Sequence, residues 1–313
     1  MRSAIPLLSI LLLACAAASA QHRVLLQGNG RLAMVEADGK ISWEMPWGET
    51  HDLHLLANGR IMALRHAREI VEIDPATRRE TWAYDSGAKN GNEGQPVEVH
   101  AFQPLPDGAI MIAESGPARI IEIDREGTLL KTIPLAVDNP SPHRDTRLAR
   151  KLPSGNYLVC HEGDGAIREY DGATGTVAWE YRVPLFGKEP APGHGPEAFG
   201  NQAFSALRLA NGNTLIGTGN GHAVLEVTPA KDIVWELHQD SLPGITLAWV
   251  TTLDILPSGN LVFGNCHAGP GQPLLIEIER ASRKIAWTLD RFDDFGNSVS
   301  NSVVAGSAGK SLR

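Results

Sequence analysis

Apolar and polar residues alternate with a period of two along most of the chain, in short stretches separated by turns. This alternation predicts β-strands and excludes a helical solenoid, whose apolar residues would recur every three or four positions. Five turns carry Asn-Gly, Asp-Gly or Ser-Gly between two apolar stretches, which is typical of tight hairpins. Their glycines follow one another at intervals of 47 to 57 residues: Gly59, Gly108, Gly155, Gly212 and Gly259.

A third alternating stretch with a glutamate follows each hairpin, and a fourth stretch with a tryptophan usually comes next. The glutamates are Glu36, Glu72, Glu122, Glu169, Glu226 and Glu277, and the tryptophans are Trp43, Trp82, Trp179, Trp235 and Trp287. These residues recur in nearly every unit, whereas a catalytic group is needed only once. We therefore interpret them as residues that pack and hydrogen-bond between units.

Four antiparallel strands repeated about every fifty residues predict an all-β, six-bladed β-propeller with four-stranded blades. The N-terminal stretch 22–45 contains only the last three strands of a blade. The C-terminal stretch 297–313 looks like a first strand with no blade after it, and Gly309 takes the hairpin position. We therefore expect the C-terminal strand to complete the N-terminal blade, which closes the ring and removes exposed edges. Residues 21–313 would form a single domain.

Two stretches of repeat sequence resemble known propellers. LPSGN followed by an E-x-D strand and a WEY strand resembles the repeats of arylsulfotransferase-type propellers. The stretch DGATGTVAWEY resembles the tryptophan-docking, PQQ-like repeat of quinoprotein-like propellers, a group that includes outer-membrane assembly lipoproteins. The resemblance implies the fold but no bound quinone, because quinone-holding members have more blades and a vicinal disulfide. It leaves arylsulfotransferase-like activity open, although the chain lacks the length for those enzymes' additional N-terminal domain.

Residues 1–20 have the pattern of a secretory signal peptide. A short apolar run at 5–13 is followed by small residues and an A-x-A site that ends at Ala20. The run is too short for a stable membrane anchor, and no later stretch is long enough to span a bilayer. We expect a periplasmic or secreted protein, with lipid attachment at Cys15 as the less favoured alternative. Mass spectrometry of the exported protein should find Gln21 at its N-terminus; a retained leader or a lipidated Cys15 would contradict cleavage after Ala20.

Composition narrows the choice of partners. The 313 residues carry 36 acidic and 28 basic side chains, for a formal net charge of −8, and contain no basic run. This balance argues against a nucleic-acid partner. A hydrophobic content of 42% suits a folded protein with ample core, and we expect a monomer. Cys160 and Cys266 end equivalent strands with a complete blade between them, so we expect two unpaired thiols.

Polar residues gather at one rim of the predicted ring. The positions eight before the hairpin glycines hold His51, His100, Arg147, Phe204, Thr251 and, in the C-terminal strand, Asn301. The ends of the second strands return to the same rim and bring Glu114, His161, Asn220, His222, Asn265 and His267. The insert 184–202, which is rich in proline and glycine, enters from this side and would partly cover the mouth of the channel.

Histidine suits such a site because it can donate, accept or shuttle protons near neutral pH. We expect catalytic roles for His51, His100, His161 and His267, and substrate binding by Arg147, Asn220, His222, Asn265 and Glu114. Arg147 would hold an anionic group such as sulfate, phosphate or carboxylate. The crowded imidazoles beside it should resist protonation, which would leave a neutral base near pH 7.

Three functions remain open at this stage. The first is an exported transferase, lyase or hydrolase that acts on a small anionic or phenolic substrate without a cofactor. The second is a non-catalytic module of the cell envelope that binds a protein or ligand over the same rim. The third is an enzyme that holds a divalent metal with histidines. Metal analysis separates the third from the others. Ligand interactions that survive an alanine substitution at His100 or His161 would favour the second, and a ligand seen in the channel would be the most informative observation.

Overall fold

The computed structural model describes residues 22–307, and it confirms six four-stranded antiparallel sheets arranged as the blades of a propeller. The leader residues 1–20, including Cys15, and the hairpin glycine assigned at Gly309 lie outside the described residues. No helix within the described part of the chain is long and apolar enough to cross a membrane.

The first half of the chain supplies most of blade 1 and all of blades 2 and 3. Blade 1 contains β1 (Val24–Gly28), β2 (Arg31–Val35) and β3 (Ile41–Pro46). Blade 2 contains β4 (Leu53–Leu55), β5 (Ile61–Arg65), β6 (Glu69–Asp74) and β7 (Arg79–Asp85), followed by a 3-10 turn at Ser86–Ala88. Blade 3 contains β8 (Glu98–Pro104), β9 (Ile110–Ser115), β10 (Arg119–Ile123) and β11 (Leu129–Pro134).

The second half supplies blades 4 to 6 and the closing strand. Blade 4 contains β12 (Ala149–Lys151), β13 (Tyr157–His161), β14 (Ala166–Tyr170) and β15 (Val177–Arg182). Blade 5 contains β16 (Ser205–Arg208), β17 (Thr214–Gly217), β18 (Val224–Val227) and β19 (Ile233–Leu237). Blade 6 contains β20 (Trp249–Ile255), β21 (Leu261–Cys266), β22 (Leu275–Glu279) and β23 (Lys284–Leu289). A short helix, α1 (Phe292–Phe295), leads to β24 (Ser302–Val304).

The C-terminal strand closes the ring as predicted. β24 pairs antiparallel with β1, with Val304 opposite Val24 and Ser302 opposite Leu26, so blade 1 has the strand order β24-β1-β2-β3. The two ends of the described chain therefore belong to one sheet, and β1 has no free edge toward the centre of the ring.

The apolar core lies between blades rather than within them. Each of six clusters of buried side chains combines residues of two neighbouring blades, and together they account for all six junctions. Between blades 5 and 6, for example, Leu215 packs in one cluster with Phe263. The first three strands of a blade are buried on both faces, whereas outer strands such as β7 and β11 are largely exposed. Stability therefore depends on an unbroken ring of junctions.

Most of the repeated tryptophans and glutamates connect neighbouring blades, which confirms their interpretation; Glu36 is the exception, because it accepts from Arg23 and Ser42 in its own blade. The indole nitrogens of Trp43, Trp82, Trp179 and Trp235 donate to main-chain carbonyls of the next blade, at Pro75, Arg125, Pro229 and Arg280. The other five glutamates reach across a blade junction in the pairs Glu72–Arg125, Glu122–Tyr157, Glu169–Arg208, Glu226–Arg280 and Glu277–His22. Because these bonds satisfy buried polar groups at each junction, they orient one blade on the next.

The two cysteines of the described chain are unpaired, as predicted. Cys160 and Cys266 are both buried free thiols at the ends of β13 and β21. Burial raises the pKa of both, that of Cys266 to about 12, so neither is a reactive thiolate at neutral pH.

Candidate functional site

A cavity of about 760 Å³ lies at the rim where the inner strands begin. Five blades contribute a residue from the start of the inner strand: Ser300, His51, Arg147, Phe204 and Thr251 for blades 1, 2, 4, 5 and 6. The returning second strands and the loops after them add Glu162, Asn220, Cys266 and His267, and the insert adds residues between Pro190 and Gln202. The insert folds back on itself through an antiparallel bridge between Ala191 and Phe199.

One side of the cavity is formed by His51, His143 and Arg147, and with the buried His100 behind them we call these residues the histidine wall. The imidazole of His51 lies edge-on to that of His100 at 4.6 Å and 6.3 Å from that of His143, and His100 and His143 are 5.4 Å apart. His100 is buried behind His51 and does not line the cavity itself. It occupies a bulge in β8, between Val99 and Ala101, and bulges commonly redirect a side chain in this way.

Arg147 is 5% exposed, and only part of its guanidinium is hydrogen-bonded. Its Nε donates to Glu162, and its Nη2 approaches Nε2 of His143 at 3.3 Å. The remaining nitrogen, Nη1, is buried and has no hydrogen-bond partner among the described residues. The guanidinium carbon lies 5.8 Å from the centre of the Phe204 ring. A buried donor without a partner is costly, so this N–H is suited to a ligand that enters the cavity.

His51 also has an unsatisfied nitrogen. Its Nδ1 is buried without a hydrogen-bond partner in the described part of the chain. Burial lowers the pKa of His51 well below its usual value, and the neighbouring His100 and Arg147 lower it further. Burial and Arg147 likewise lower the pKa of His100 to about 4. Both imidazoles are therefore neutral near pH 7, as expected from their crowding.

A second part of the cavity lining, which we call the aromatic wall, consists of His194 from the insert with Trp249 and His267 from blade 6. The rings of His194 and Trp249 stack at 5.3 Å with 24° between their planes. The imidazole of His267 lies 5.2 Å from that of His194 and 6.1 Å from the indole. Burial lowers the pKa of His267, and the proximity of His194 adds to that effect. This wall offers a flat apolar surface next to a neutral imidazole.

Two of the candidate site residues in blades 3 and 4, Glu114 and His161, do not reach the cavity. His161 Nδ1 donates to the carbonyl of Asp145 at 2.7 Å, and its Nε2 accepts from the hydroxyl of Tyr170 at 2.9 Å. Glu114 is fully buried and binds Arg119 Nε at 2.6 Å. Their polar atoms are bound within the fold, and we assign them to structure instead of catalysis or substrate binding.

Asn265 and His222 are also placed away from this cavity, near the junction of blades 5 and 6. The Asn265 side chain accepts from Ala248 N at 2.9 Å and donates to the carbonyl of Thr246 at 3.2 Å. Both ring nitrogens of His222 contact carbonyls, those of Ala248 and Ala198. His222 borders a separate cavity of about 450 Å³ under the insert. These side chains hold loops at the rim in place.

The prediction that Asn301 is the blade 1 counterpart of His51 is wrong by one residue. Val304 pairs with Val24 as Leu55 pairs with Ile61, so Ser300 is the counterpart of His51 in blade 1. Ser300 accordingly lines the cavity. Asn301 is buried and donates to the His51 carbonyl at 2.9 Å, so it supports the site from behind.

Sequence reasoning assigned no role to four residues that define the site. Trp249 and Glu98 lie two positions before Thr251 and His100, where the alternation of a strand hides them among core residues. His143 and His194 lie in loops outside the repeat, so no register relates them to the hairpin glycines. The position of the insert at the rim was visible in the sequence, but the convergence of these four residues on the two walls was not.

Comparison with known proteins supports the architecture. The family described as "Outer membrane protein assembly factor BamB" matches residues 28–289. A protein of unknown function from Bacteroides caccae is 23% identical, with 90% of this chain and 98% of that chain covered and a TM-score of 0.73. A search of curated proteins finds no match.

Two lyases have a similar fold. A streptogramin B lyase is 13% identical over 87% of this chain and 83% of that chain, with a TM-score of 0.56. Virginiamycin B lyase from Staphylococcus aureus is 14% identical over 85% of this chain and 83% of that chain, with a TM-score of 0.53. At these identities the likeness concerns the fold alone.

Proposed function

This chain belongs to the family of outer membrane protein assembly factor BamB, and we propose that its cavity binds a small aryl anion and holds a histidine base that takes a proton from the water or hydroxyl group reacting with that anion. The observation that carries the proposal is the pair of unsatisfied buried nitrogens on one wall, Nη1 of Arg147 and Nδ1 of His51. An anionic oxygen in the cavity would accept from Nη1 of Arg147, and from Nδ1 of His51 in the tautomer that carries the proton there. Leaving a buried donor unpaired costs about 1–3 kcal/mol, which ligand binding would recover.

The aromatic wall favours a ligand with a flat ring. Trp249 and His194 are already stacked, and an aryl group can extend that stack or meet it edge-on. The cavity of about 760 Å³ is of the size that holds a small organic molecule. Phenyl sulfates, phenyl phosphates and benzoates combine the ring and the anionic group that the two walls suit.

His267 is the proposed base. It lines the cavity, and its lowered pKa leaves the imidazole neutral and able to accept a proton at pH 7. Proton removal is a step shared by transferases, lyases and hydrolases, the three reaction classes that the sequence leaves open. A related precedent exists in the fold: a virginiamycin B lyase with one histidine replaced by alanine is described as catalytically inactive and was solved with quinupristin.

Removing the charge of Arg147 should abolish the preference for anions. Glu162 would be left unpaired in a single variant, so the matched change is Arg147→Gln combined with Glu162→Gln. Calorimetric titration with benzoate and with the neutral isostere benzamide should show at least about tenfold tighter binding of benzoate to the native chain, the value of one charge-assisted hydrogen bond. The double variant should bind the two compounds equally.

The control is Arg182→Gln, which removes an exposed arginine on the outer strand β15. It should keep the native preference for benzoate. Equal binding of benzoate and benzamide by the native chain, or a preference that survives in the double variant, would contradict the proposal.

The second candidate, a binding module without catalysis, is favoured by the description of the family as an assembly factor. The same titrations separate the two functions when each ligand is also followed by mass spectrometry. If the cavity is catalytic, His267→Ala should keep anion binding and lose turnover. If anions bind but none of the phenyl sulfates, phosphates or benzoates is converted by the native chain, the binding function is correct.

We also propose that the protein is exported. The leader pattern of residues 1–20 supports this location, and so does a family whose description places its namesake at the outer membrane. In that location the cavity would be exposed to small molecules outside the cytoplasm.

A further inference from the structure

We propose that Glu98, His100 and His143 bind one divalent cation of the zinc class beside the cavity. Each residue offers one ligand atom, and these atoms all lie within 4.8 Å of one another. Oε2 of Glu98 is central: it lies 3.0 Å from Nε2 of His100 and 2.8 Å from Nδ1 of His143. This inference does not depend on the proposed reaction, because metal binding can be measured directly.

The hydrogen bonds of His100 indicate that a proton or a cation is needed between His100 and Glu98. Its Nδ1 lies 2.9 Å from the main-chain carbonyl of Thr146, and a carbonyl oxygen only accepts, so Nδ1 carries the proton. In the neutral tautomer, Nε2 is then an acceptor that faces the carboxylate oxygen of Glu98, a second acceptor. A proton shared by these two atoms, or a cation between them, makes this contact favourable.

The same arrangement is typical of histidines that bind metals. A metal-binding imidazole usually donates its other N–H to a carbonyl or carboxylate, which fixes the tautomer and the orientation of the ring. His100 already has that outer bond to Thr146, and its side chain is fully buried, so its Nε2 is held in place before any ion arrives. Glu98 precedes His100 by two positions in β8, next to the bulge.

The ligand atoms lie near the spacing that a zinc ion requires. Zn²⁺ binds nitrogen and carboxylate oxygen at about 2.0–2.2 Å, which places neighbouring ligands in a tetrahedron about 3.3–3.5 Å apart. The two contacts of Glu98 are a few tenths of an ångström shorter than this, and all three ligand atoms lie within 4.8 Å of one another, so one side chain must move to admit the ion. Two histidines and one glutamate form a set that zinc uses in enzymes, with the fourth position left for water or substrate.

His143 is the residue able to make that movement. Its side chain lines the cavity and is 58% exposed, whereas that of His100 is buried. Its Nε2 accepts from Arg147 at 3.3 Å, which leaves the proton on Nδ1 in the absence of metal. When Nδ1 binds an ion, the proton of the neutral imidazole moves to Nε2. The long contact of Nε2 with Arg147 is then lost, because both groups are donors. The positive charge of Arg147 is already balanced by Glu162, so the cluster retains the negative charge of Glu98.

The test is a calorimetric titration of the purified full chain with Zn²⁺ after treatment with a chelator. We expect one equivalent to bind, and Glu98→Gln and His143→Ala should each weaken binding by at least about tenfold, the loss that even an outer-shell change produces. Both residues are partly exposed, and circular dichroism would verify that the variants fold. The control His238→Ala removes an exposed histidine that pairs with Glu236 on the outer strand β19, and it should leave the affinity unchanged.

Cobalt substitution adds a spectroscopic measurement. Co²⁺ in place of Zn²⁺ should give visible absorption bands that the His143→Ala variant lacks. Absence of stoichiometric Zn²⁺ binding, or unchanged affinity in both variants, would overturn the proposal.

Discussion

Deletion of residues 297–313 should prevent the protein from folding as a closed ring. The deletion removes β24 and leaves β1 without its inner partner, although β1 is buried along its whole length. It also removes Val299, Val303 and Val304, which are buried at the two junctions of blade 1. Each of these side chains contributes about 1.5–3 kcal/mol by burial, and their sum is comparable with the whole stability of a typical domain.

The expected result is a cooperative loss of the folded state rather than local fraying at one end. Thermal unfolding followed by circular dichroism should show the transition lowered by more than about 10 °C or absent. The matched control is a permuted chain in which the same segment precedes β1 through a flexible linker, and it should recover the native transition. If the truncated chain unfolds at the native temperature, β24 does not seal the ring.

Replacement of Asp52 by alanine should cost about 3–5 kcal/mol of unfolding free energy, as expected when one partner of a buried ion pair is lost. Asp52 is fully buried, and its two oxygens accept from Arg150 at 2.8 and 2.9 Å. It also accepts from Phe102 N at 3.1 Å and from Asn301 Nδ2 at 3.0 Å. One carboxylate thus connects blades 1, 2, 3 and 4 beneath the cavity.

Chemical denaturation measures this loss, and Asp38→Asn is the control. Asp38 is exposed beside Lys40, so its replacement should change the unfolding free energy by less than about 0.5 kcal/mol. The double variant Asp52→Asn with Arg150→Met should be more stable than Asp52→Asn alone, because no unpaired guanidinium remains buried. A loss below about 1 kcal/mol for Asp52→Ala would show that the network is dispensable.

The effect of Asp52 should also depend on pH. Burial alone would raise the pKa of Asp52, but the charges of Arg150 and His54 outweigh it and lower the pKa. A carboxylate with a lowered pKa in the folded state stabilises the fold fully above its unfolded pKa of about 3.9. This contribution is lost as the pH falls further toward the folded value. The stability difference between the native chain and Asp52→Asn should therefore be constant near pH 7 and shrink below about pH 4.

The fold could be predicted because every blade repeats the same requirements. A hairpin glycine, buried alternating strands and a glutamate recur along the chain, and five of the six units have a tryptophan, so the period indicates blades and their number. The missing strand at one end and the surplus strand at the other predict the closure that β24 makes with β1. Part of the site follows from the same register: His51, Arg147, Asn220 and His267 line one cavity because equivalent positions of a ring face one axis.

The sequence by itself determined the ring, its closure and the rim at which polar residues gather. The tertiary structure decided which of those residues face the cavity. His161 ends a second strand and His267 follows one, yet only the ring of His161 is held, by Tyr170 and the Asp145 carbonyl; among residues 22–307 no equivalent pair of bonds holds the ring of His267. His194 reaches Trp249 only through the folding of the insert, and Glu98 meets His143 across 45 residues of chain. A strand register specifies the position of a backbone, whereas a side chain turns toward whichever partner the neighbouring loops present.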